Sequence, residues 1–164
     1  MAFLFYVIYS TIKYMRIREY KKSDKNAAQD IFAKYWTDKE FLDELEKNLD
    51  EDKAIFYVAE KDGEVVGIAG FRKALEYLSM HAKTKNPAEL YIVASKTQSE
   101  GVGSNLVQKI IEEAKNLSFT EIECYSPETH SNSWKFYEKL GFKKEGIIND
   151  PDDGYPGMLW MKII

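Results

Sequence analysis

Cysteine and histidine are scarce in this sequence, which excludes two common ways of stabilising a small fold. Cys124 is the one cysteine in 164 residues, so no internal disulfide can form, as expected for a reducing compartment. One cysteine and two histidines are too few for a typical structural zinc site, and we predict no metal. The chain therefore depends on an apolar core, which its length allows it to build as one domain.

An excess of positive charge is also missing. The formal net charge is −4, and lysine and glutamate are mixed along the chain rather than segregated. A protein that binds nucleic acid needs a basic face, so we expect no nucleic-acid partner.

Long hydrophobic runs are missing as well. The most apolar stretch, residues 2–12 (AFLFYVIYSTI), is far shorter than the roughly 20 residues of a membrane span. No basic residue precedes it and no small-residue cleavage site follows it, which argues against a signal peptide. We expect a cytoplasmic protein with no membrane partner. Residues 1–14 are either an added strand or interface segment, which would allow a homodimer, or the product of a misplaced start codon; the domain itself spans residues 15–164.

Apolar periodicity and turn residues predict the element order β α α β β β α β α β β. The strongest hairpin signal is Asp62-Gly63, which joins two β-rich runs within residues 54–74 and accepts a type I′ turn. Residues 75–86 are predicted to be irregular. The early hairpin and the late βαβ unit favour a mixed sheet with helices on both faces.

Two helix ends have recognisable signals. Thr37 and Glu40 have capping-box spacing and predict the start of the second helix. Gly141 predicts a glycine C-cap for the last helix, with Phe142 folding back onto its final turn.

A glycine loop precedes the helix predicted over residues 102–117. Gly101 and Gly103 stand two apart at its start, an arrangement that suits a bound anion. A Rossmann fingerprint would have a third glycine where Leu106 stands, and a Walker loop would need Gly-Lys-Ser/Thr. On these residues alone, a tight strand-to-helix connection explains the glycines equally well.

Two motifs together resemble the GNAT superfamily, the N-acetyltransferases that use acetyl-coenzyme A. The first is Gln98-x-x-Gly101-x-Gly103 behind the apolar run YIV, and the second is FYEKLGF over residues 136–142. The resemblance covers residues 15–164. It implies an α/β (α+β) fold with a mixed, mostly antiparallel sheet of six to seven strands, about four flanking helices, and splayed central strands that form the acetyl-CoA cleft.

The resemblance also implies where acetyl-CoA binds. Amides of residues 99–104 would hold the pyrophosphate, helped by the helix dipole. The backbone of Ile92 and Val93, which follow a bulge in this family, would pair with the pantetheine arm by strand addition. The cofactor-binding residues carried over are Ile92, Val93, Gln98, Ser99, Gly101, Val102, Gly103, Ser104, Asn132 and Tyr137.

Acetyl transfer to an amine requires a neutral amine, an oxyanion donor and a proton for the departing thiolate. Tyr137 matches the family tyrosine that protonates the thiolate, and a backbone amide near Val93 is the expected oxyanion donor. Glu89 is the candidate base and shares a face with Tyr91 and Val93 if the strand alternates regularly. Because a strand-end glutamate is usually a solvated charge, Glu123, Tyr91 and the absence of a dedicated base remain alternatives.

The loop departs from the family pattern in charge. Many members carry basic residues there, whereas this loop reads QSE before its first glycine. We expect Glu100 to face solvent and Lys96 or Lys135 to compensate. His130 stands where the family often has asparagine, and Asn132 follows two residues later.

The acceptor is expected to be the amine of a small molecule or a peptide. The segments that approach it in this family are acidic or aromatic here: Tyr35, Trp36, Asp38, Glu40, Asp43, Glu44, Asp150, Asp152, Asp153 and Tyr155. An acidic rim would attract a cationic amine, although helix starts and turns favour the same residues. The sequence does not choose between a polyamine, an amino acid, an aminoglycoside and a protein amine.

Three functional hypotheses follow. The first is an acetyl-CoA-dependent N-acetyltransferase that works by direct attack in a ternary complex, since nothing near Cys124 suggests a covalent relay. The second is a catalytically inactive acyl-CoA-binding regulatory module of the same fold. The third is a non-enzymatic dimerising domain built on the apolar N-terminus.

Overall fold

The computed structural model of the protein describes residues 14–98, 100–152 and 154–164. Within these ranges, seven strands and five α-helices follow one another along the chain. The strands are β1 (Met15–Glu19), β2 (Ile55–Lys61), β3 (Glu64–Lys73), β4 (Pro87–Ser95), β5 (Glu121–Pro127), β6 (Lys143–Asn149) and β7 (Pro156–Ile163). The helices are α1 (Lys25–Phe32), α2 (Lys39–Asp50), α3 (Glu76–Ser79), α4 (Val102–Asn116) and α5 (Trp134–Lys139). The predictions for residues 1–13, Ser99 and Asp153 lie outside the described residues.

The strands form one sheet in the order β1-β2-β3-β4-β5-β7-β6. Neighbours are antiparallel except β4 and β5, which run parallel and are joined through α4. Asp62 and Gly63 connect β2 to β3 with φ angles of 53° and 81°, as a type I′ turn requires. The predicted hairpin and the predicted mixed, mostly antiparallel sheet are therefore both confirmed.

The sheet separates two apolar layers, which places helices on both faces as predicted. On the face covered by α4, here called the α4 face, Leu106 and Ile110 pack with Trp160 of β7. On the opposite face, here called the α2 face, Ile31 of α1 and Leu45 of α2 cover the sheet. Each such side chain, once fully buried, contributes about 1.5–3 kcal/mol of transfer free energy.

The helix ends show one correction and one confirmation. The N-cap of α2 is Asp38 rather than Thr37, and its carboxylate accepts from the Phe41 amide at 2.8 Å. An aspartate is at least as good a cap as threonine and adds a favourable charge at the helix dipole. At the end of α5, Gly141 has φ 80° and the Phe142 amide donates to the Tyr137 carbonyl at 3.1 Å, as in a Schellman motif.

The segment between β3 and β4 is less irregular than predicted, since it contains the single-turn helix α3. Its later part is tied to the sheet by Glu121, a fully buried residue of β5. The Glu121 carboxylate accepts from the backbone amides of Lys83 and Thr84 at 3.0 and 2.8 Å. Within the described ranges, no helix has the length and apolar character needed to cross a membrane.

Candidate active site

The central strands β4 and β5 stop pairing with each other shortly after they begin. Their register pairs Pro87 with Glu121, Ala88 with Ile122 and Glu89 with Glu123, and no later residues are paired. We call the point beyond Glu89 and Glu123 the fork. Past the fork, the edge of β4 that faces β5 has no strand partner among the described residues. Such an edge can accept an extended ligand by main-chain hydrogen bonds.

A bulge in β4 lies just past the fork. On β3, Phe71 pairs with Leu90 and the preceding Gly70 pairs with Ile92, so Tyr91 is the extra residue. Tyr91 and Ile92 both pack on the α2 face, whereas Val93 packs on the α4 face. The prediction that Val93 shares a face with Glu89 is therefore wrong, because the extra residue reverses the alternation.

The glycine loop, the bulged strand and α5 meet on the α4 face. Gly101 adopts a left-handed conformation with φ 76°, and α4 begins at the next residue. A Cβ atom built on Gly103 would lie 3.3 Å from the Phe136 ring and 3.7 Å from Val93. No side chain of a described residue caps this helix, so the amides of Val102 to Ser104 remain available to an anion.

The negative charge in the loop has a nearby partner. Glu100 forms an ion pair with Lys61 at the end of β2, with 3.1 Å between Oε2 and Nζ. Glu100 is exposed to solvent, as expected from the sequence, and it also holds this ion pair. Lys96, one of the two expected compensating cations, instead lies 3.5 Å from Glu64. The sequence analysis missed Lys61 as a cation beside the loop, because Lys61 lies on β2, far from the loop in sequence.

Tyr137 lies deep in the α4 face, with 8% of its surface exposed. Its ring packs against Phe136, Phe142 and Trp160, at centroid distances of 5.3, 6.0 and 5.5 Å. Its hydroxyl shares a hydrogen bond with the thiol of Cys124 on β5. Burial raises the pKa of Tyr137 well above 10 and that of Cys124 to about 12, so both groups keep their protons at neutral pH. Tyr137 can donate a proton, and Cys124 is no nucleophile.

Glu89 is not the solvated strand-end residue that its position suggested. It is 5% exposed, and its carboxylate accepts from Arg72 Nε at 2.7 Å and from Arg72 Nη2 at 3.3 Å. The same guanidinium lies 4.0 Å from the centre of the Tyr91 ring, and the Tyr91 hydroxyl accepts from Asn48 Nδ2 at 2.7 Å. Burial raises the pKa of Glu89, while Arg72 lowers it in part. Glu89 is thus a partnered carboxylate.

Glu123 occupies the position on β5 level with Glu89. It is fully buried, and neither carboxyl oxygen has a hydrogen-bond partner among the described residues. Burial raises its pKa to about 8, and the negative charges of Glu121 and Glu89 add to the effect. The sequence contains a signal for this site. Two glutamates alternate with Ile122 and Cys124 in β5, which places charge on one face of a buried strand.

The other predicted site residues lie at the periphery. Asn132 and His130 are exposed in a 3-10 turn before α5, and Gln98 is exposed beside the loop. Asp150 and Tyr155 close the β6–β7 turn, where the Asp150 amide donates to the Tyr155 carbonyl at 2.8 Å. Among the described residues, no group of three or more histidine, cysteine or acidic side chains is arranged to hold a metal ion.

Comparisons with known proteins agree on one family. The sequence model of the acetyltransferase (GNAT) family matches residues 22–142. No curated protein matches the chain.

Solved structures of similar shape show the same fold. A GNAT-family protein from Desulfovibrio desulfuricans is 16% identical and has a TM-score of 0.77, with 92% of this chain and 99% of that chain covered. An N-acetyltransferase from Staphylococcus aureus is 19% identical with a TM-score of 0.70, covering 92% and 98%. YncA from Salmonella typhimurium, solved with its cofactor acetyl-CoA, is 18% identical with a TM-score of 0.72, covering 92% and 94%.

Proposed function

Since the chain belongs to the GNAT family of acetyltransferases, we propose that it moves an acetyl group from acetyl-CoA to a primary amine by direct attack in a ternary complex. The observation that carries this proposal is the fork between β4 and β5. It leaves a free strand edge next to the glycine loop, where a Cβ atom on residue 103 would lie 3.7 Å from Val93 and 3.3 Å from Phe136, the neighbour of Tyr137 in the chain.

Two parts of the site would bind the pyrophosphate and the pantetheine arm of the cofactor. The first amides of α4 and the positive end of its dipole would hold the pyrophosphate, with Ser104 nearby. The free backbone of Ile92 and Val93 would pair with the pantetheine arm. An amide near Val93 would then face the carbonyl oxygen and stabilise the oxyanion. The predicted contacts of the cofactor with Gln98, Ser99 and Asn132 are part of this proposal.

Proton transfer divides between two sides of the sheet. Tyr137 on the α4 face would give its proton to the departing thiolate, because it is fully protonated and nothing basic competes for its hydrogen. Glu123 on the α2 face would accept the proton of the incoming ammonium, since it is a buried carboxyl without a hydrogen-bond partner among the described residues. Glu89 is the candidate base of the sequence analysis, but it forms an ion pair with Arg72. We therefore assign it to charge balance at the fork rather than to proton transfer.

A bulky acid at Gly103 is expected to abolish acetyl-CoA binding. A Cβ atom on residue 103 would already lie 3.3 Å from the Phe136 ring. We therefore expect the rest of the Gly103→Glu side chain to project into the cleft and meet the pyrophosphate. Like charges at such a contact cost several kcal/mol, which is at least about a 100-fold loss in affinity. Calorimetric titration with acetyl-CoA measures it. The matched control is Gln108→Glu, which adds the same charge on the exposed side of α4. Equal affinity in the wild type and Gly103→Glu would exclude this cradle.

Removing the charge of Glu100 is expected to strengthen acetyl-CoA binding by about twofold to fivefold at low salt. The Glu100→Gln change releases Lys61 from its ion pair, and Lys61 can then act on the phosphates. The gain should shrink as salt rises, because exposed charges are screened. Glu64→Gln, at the start of β3 beside Lys96, is the control for a general change in charge. Weaker binding by Glu100→Gln would mean that Glu100 holds the loop in shape instead.

The second hypothesis, an acyl-CoA-binding module without catalysis, keeps the same cofactor site. It predicts tight acetyl-CoA binding with no thiol release in the presence of any amine. The partnerless Glu123 argues against it, because a purely structural carboxyl at that depth would normally be hydrogen-bonded. Measuring thiol release across a panel of amines separates the two hypotheses.

A further inference from the structure

Three glutamates lie in order of decreasing exposure between α2 and the fork. Glu44 on α2 is exposed, Glu89 on β4 is 5% exposed, and Glu123 on β5 is fully buried. Glu44 lies close enough to act on the pKa values of both Glu89 and Tyr91, and Glu89 acts on that of Glu123. We call these three residues the acid path. Asn48 stands one turn after Glu44 on the same side of α2 and bonds Tyr91, so this side of the helix faces the fork.

The acid path is short of positive charge. Arg72 neutralises Glu89, but the ion pairs of the described residues include none to Glu44 or to Glu123. Two other acidic residues of α2 differ in this respect, because Asp43 pairs with Lys39 and Glu46 pairs with Lys25. At the outer end of the path the Glu44 carboxylate is therefore left without an ion pair, and at the inner end the Glu123 carboxyl is left without a hydrogen-bond partner among the described residues.

A second observation points to a ligand. Glu123 is buried on the side of β5 opposite Ile122 and Cys124, both of which belong to the core of the α4 face. Its side chain is thus directed to the α2 face, the same side as Glu89. Leaving a buried polar group without a partner is unfavourable, and more so for a charged group. A cationic amine that reaches the fork would satisfy it.

We propose that the acceptor is a small aliphatic diamine, with one amino group at Glu123 and the second cation at Glu44. This inference rests on the proposed acetyl transfer and names its substrate class. An amine that carries its own carboxylate is disfavoured, since the cation that would receive it, Arg72, is already bound to Glu89 and stacked on Tyr91. A monoamine can use the inner end of the path but gains nothing from Glu44.

Three acceptors of equal chain length test the inference: 1,4-diaminobutane, butylamine and 4-aminobutanoate. We expect kcat/KM, measured as thiol release from acetyl-CoA at low salt, to be highest for the diamine and undetectable for the amino acid. Glu44→Gln should lower the ratio of diamine to butylamine by about fivefold, the value of one partly screened ion pair. Glu46→Gln, on the other side of α2, should leave the ratio unchanged.

Two results from the comparison of acceptors would overturn the inference. One is a 4-aminobutanoate or neutral peptide amine that is acetylated faster than the diamine, and the other is a diamine preference that Glu44→Gln does not alter. Calorimetric titration of 1,4-diaminobutane into the protein without acetyl-CoA gives a readout that needs no turnover, and no heat there also overturns it. Acetyl-CoA binding with no transfer to any of the three amines would remove the diamine assignment but leave the cofactor site. Failure to bind acetyl-CoA would remove the proposed function itself.

Discussion

Replacing Glu123 with glutamine is expected to lower kcat for acetyl transfer by about 100- to 1,000-fold, the usual contribution of a general base. The amide has nearly the same shape as the carboxyl but cannot accept the proton of the incoming ammonium. Because the pKa of Glu123 is about 8, the wild-type rate should rise with pH up to about that value, as more of the carboxyl becomes ionised. The glutamine variant should lose this rise. A pH profile of kcat for both proteins measures the difference.

Glu123→Gln is also expected to raise the free energy of unfolding at high pH, although it lowers kcat. The pKa of Glu123 is raised from 4.5 to about 8 in the folded protein, so the folded state holds a proton that the unfolded state releases. The free energy of unfolding is therefore highest below pH 4.5 with respect to this group, and it falls as pH rises towards 8. Each unit of pKa difference corresponds to about 1.4 kcal/mol, so Glu123→Gln should be more stable than the wild type by a few kcal/mol above pH 8.

Urea denaturation at several pH values measures this effect. Glu128→Gln provides the control, since it makes the same chemical change at an exposed residue just after β5. If the difference in unfolding free energy between Glu123→Gln and the wild type did not vary between pH 4.5 and 8, the carboxyl would not be held neutral by burial. Its assignment as the unpartnered acid of the fork would then fail.

The features that sequence predicted correctly are those determined by a few neighbouring residues. Asp62-Gly63 specifies its turn because both positions must accept positive φ, and Gly141 ends α5 for the same reason. The glycine loop and the FYEKLGF motif could be recognised in the sequence because each combines a backbone requirement with a fixed spacing. Such signals do not depend on the rest of the chain.

The electrostatics of the fork could not be predicted in that way. Whether Glu89 is solvated or buried depends on Arg72, which lies 17 residues away on β3. Glu123 is buried because β5 lies between β4 and β7, and that order is a property of the whole sheet. The bulge at Tyr91 is equally non-local, since it is a mismatch in register between β3 and β4. Sequence reasoning therefore predicts positions for a cofactor, but not the burial and pairing of the acidic residues.

Replacing Tyr137 with phenylalanine is expected to lower kcat by about 100-fold or more while leaving the affinity for acetyl-CoA nearly unchanged. The ring keeps its contacts with Phe136, Phe142 and Trp160, so the core of the α4 face stays packed. Only the hydroxyl and its hydrogen bond to the Cys124 thiol are lost, a change worth about 1 kcal/mol of stability. The departing thiolate must then take its proton from water.

The measurement for Tyr137→Phe combines thiol-release kinetics with calorimetric titration of acetyl-CoA. Tyr20→Phe is the matched control, because the Tyr20 hydroxyl is also buried but packs beside Phe56 on the α2 face rather than on the α4 face. Loss of kcat with retained binding in Tyr137→Phe, and no loss in Tyr20→Phe, would assign the proton to Tyr137. Unchanged kcat in both variants would mean that the thiolate leaves without help from this residue. Loss of binding with an unchanged kcat at saturating acetyl-CoA would make Tyr137 part of the cofactor site alone, because an acid that acts only on the leaving group cannot change ground-state affinity.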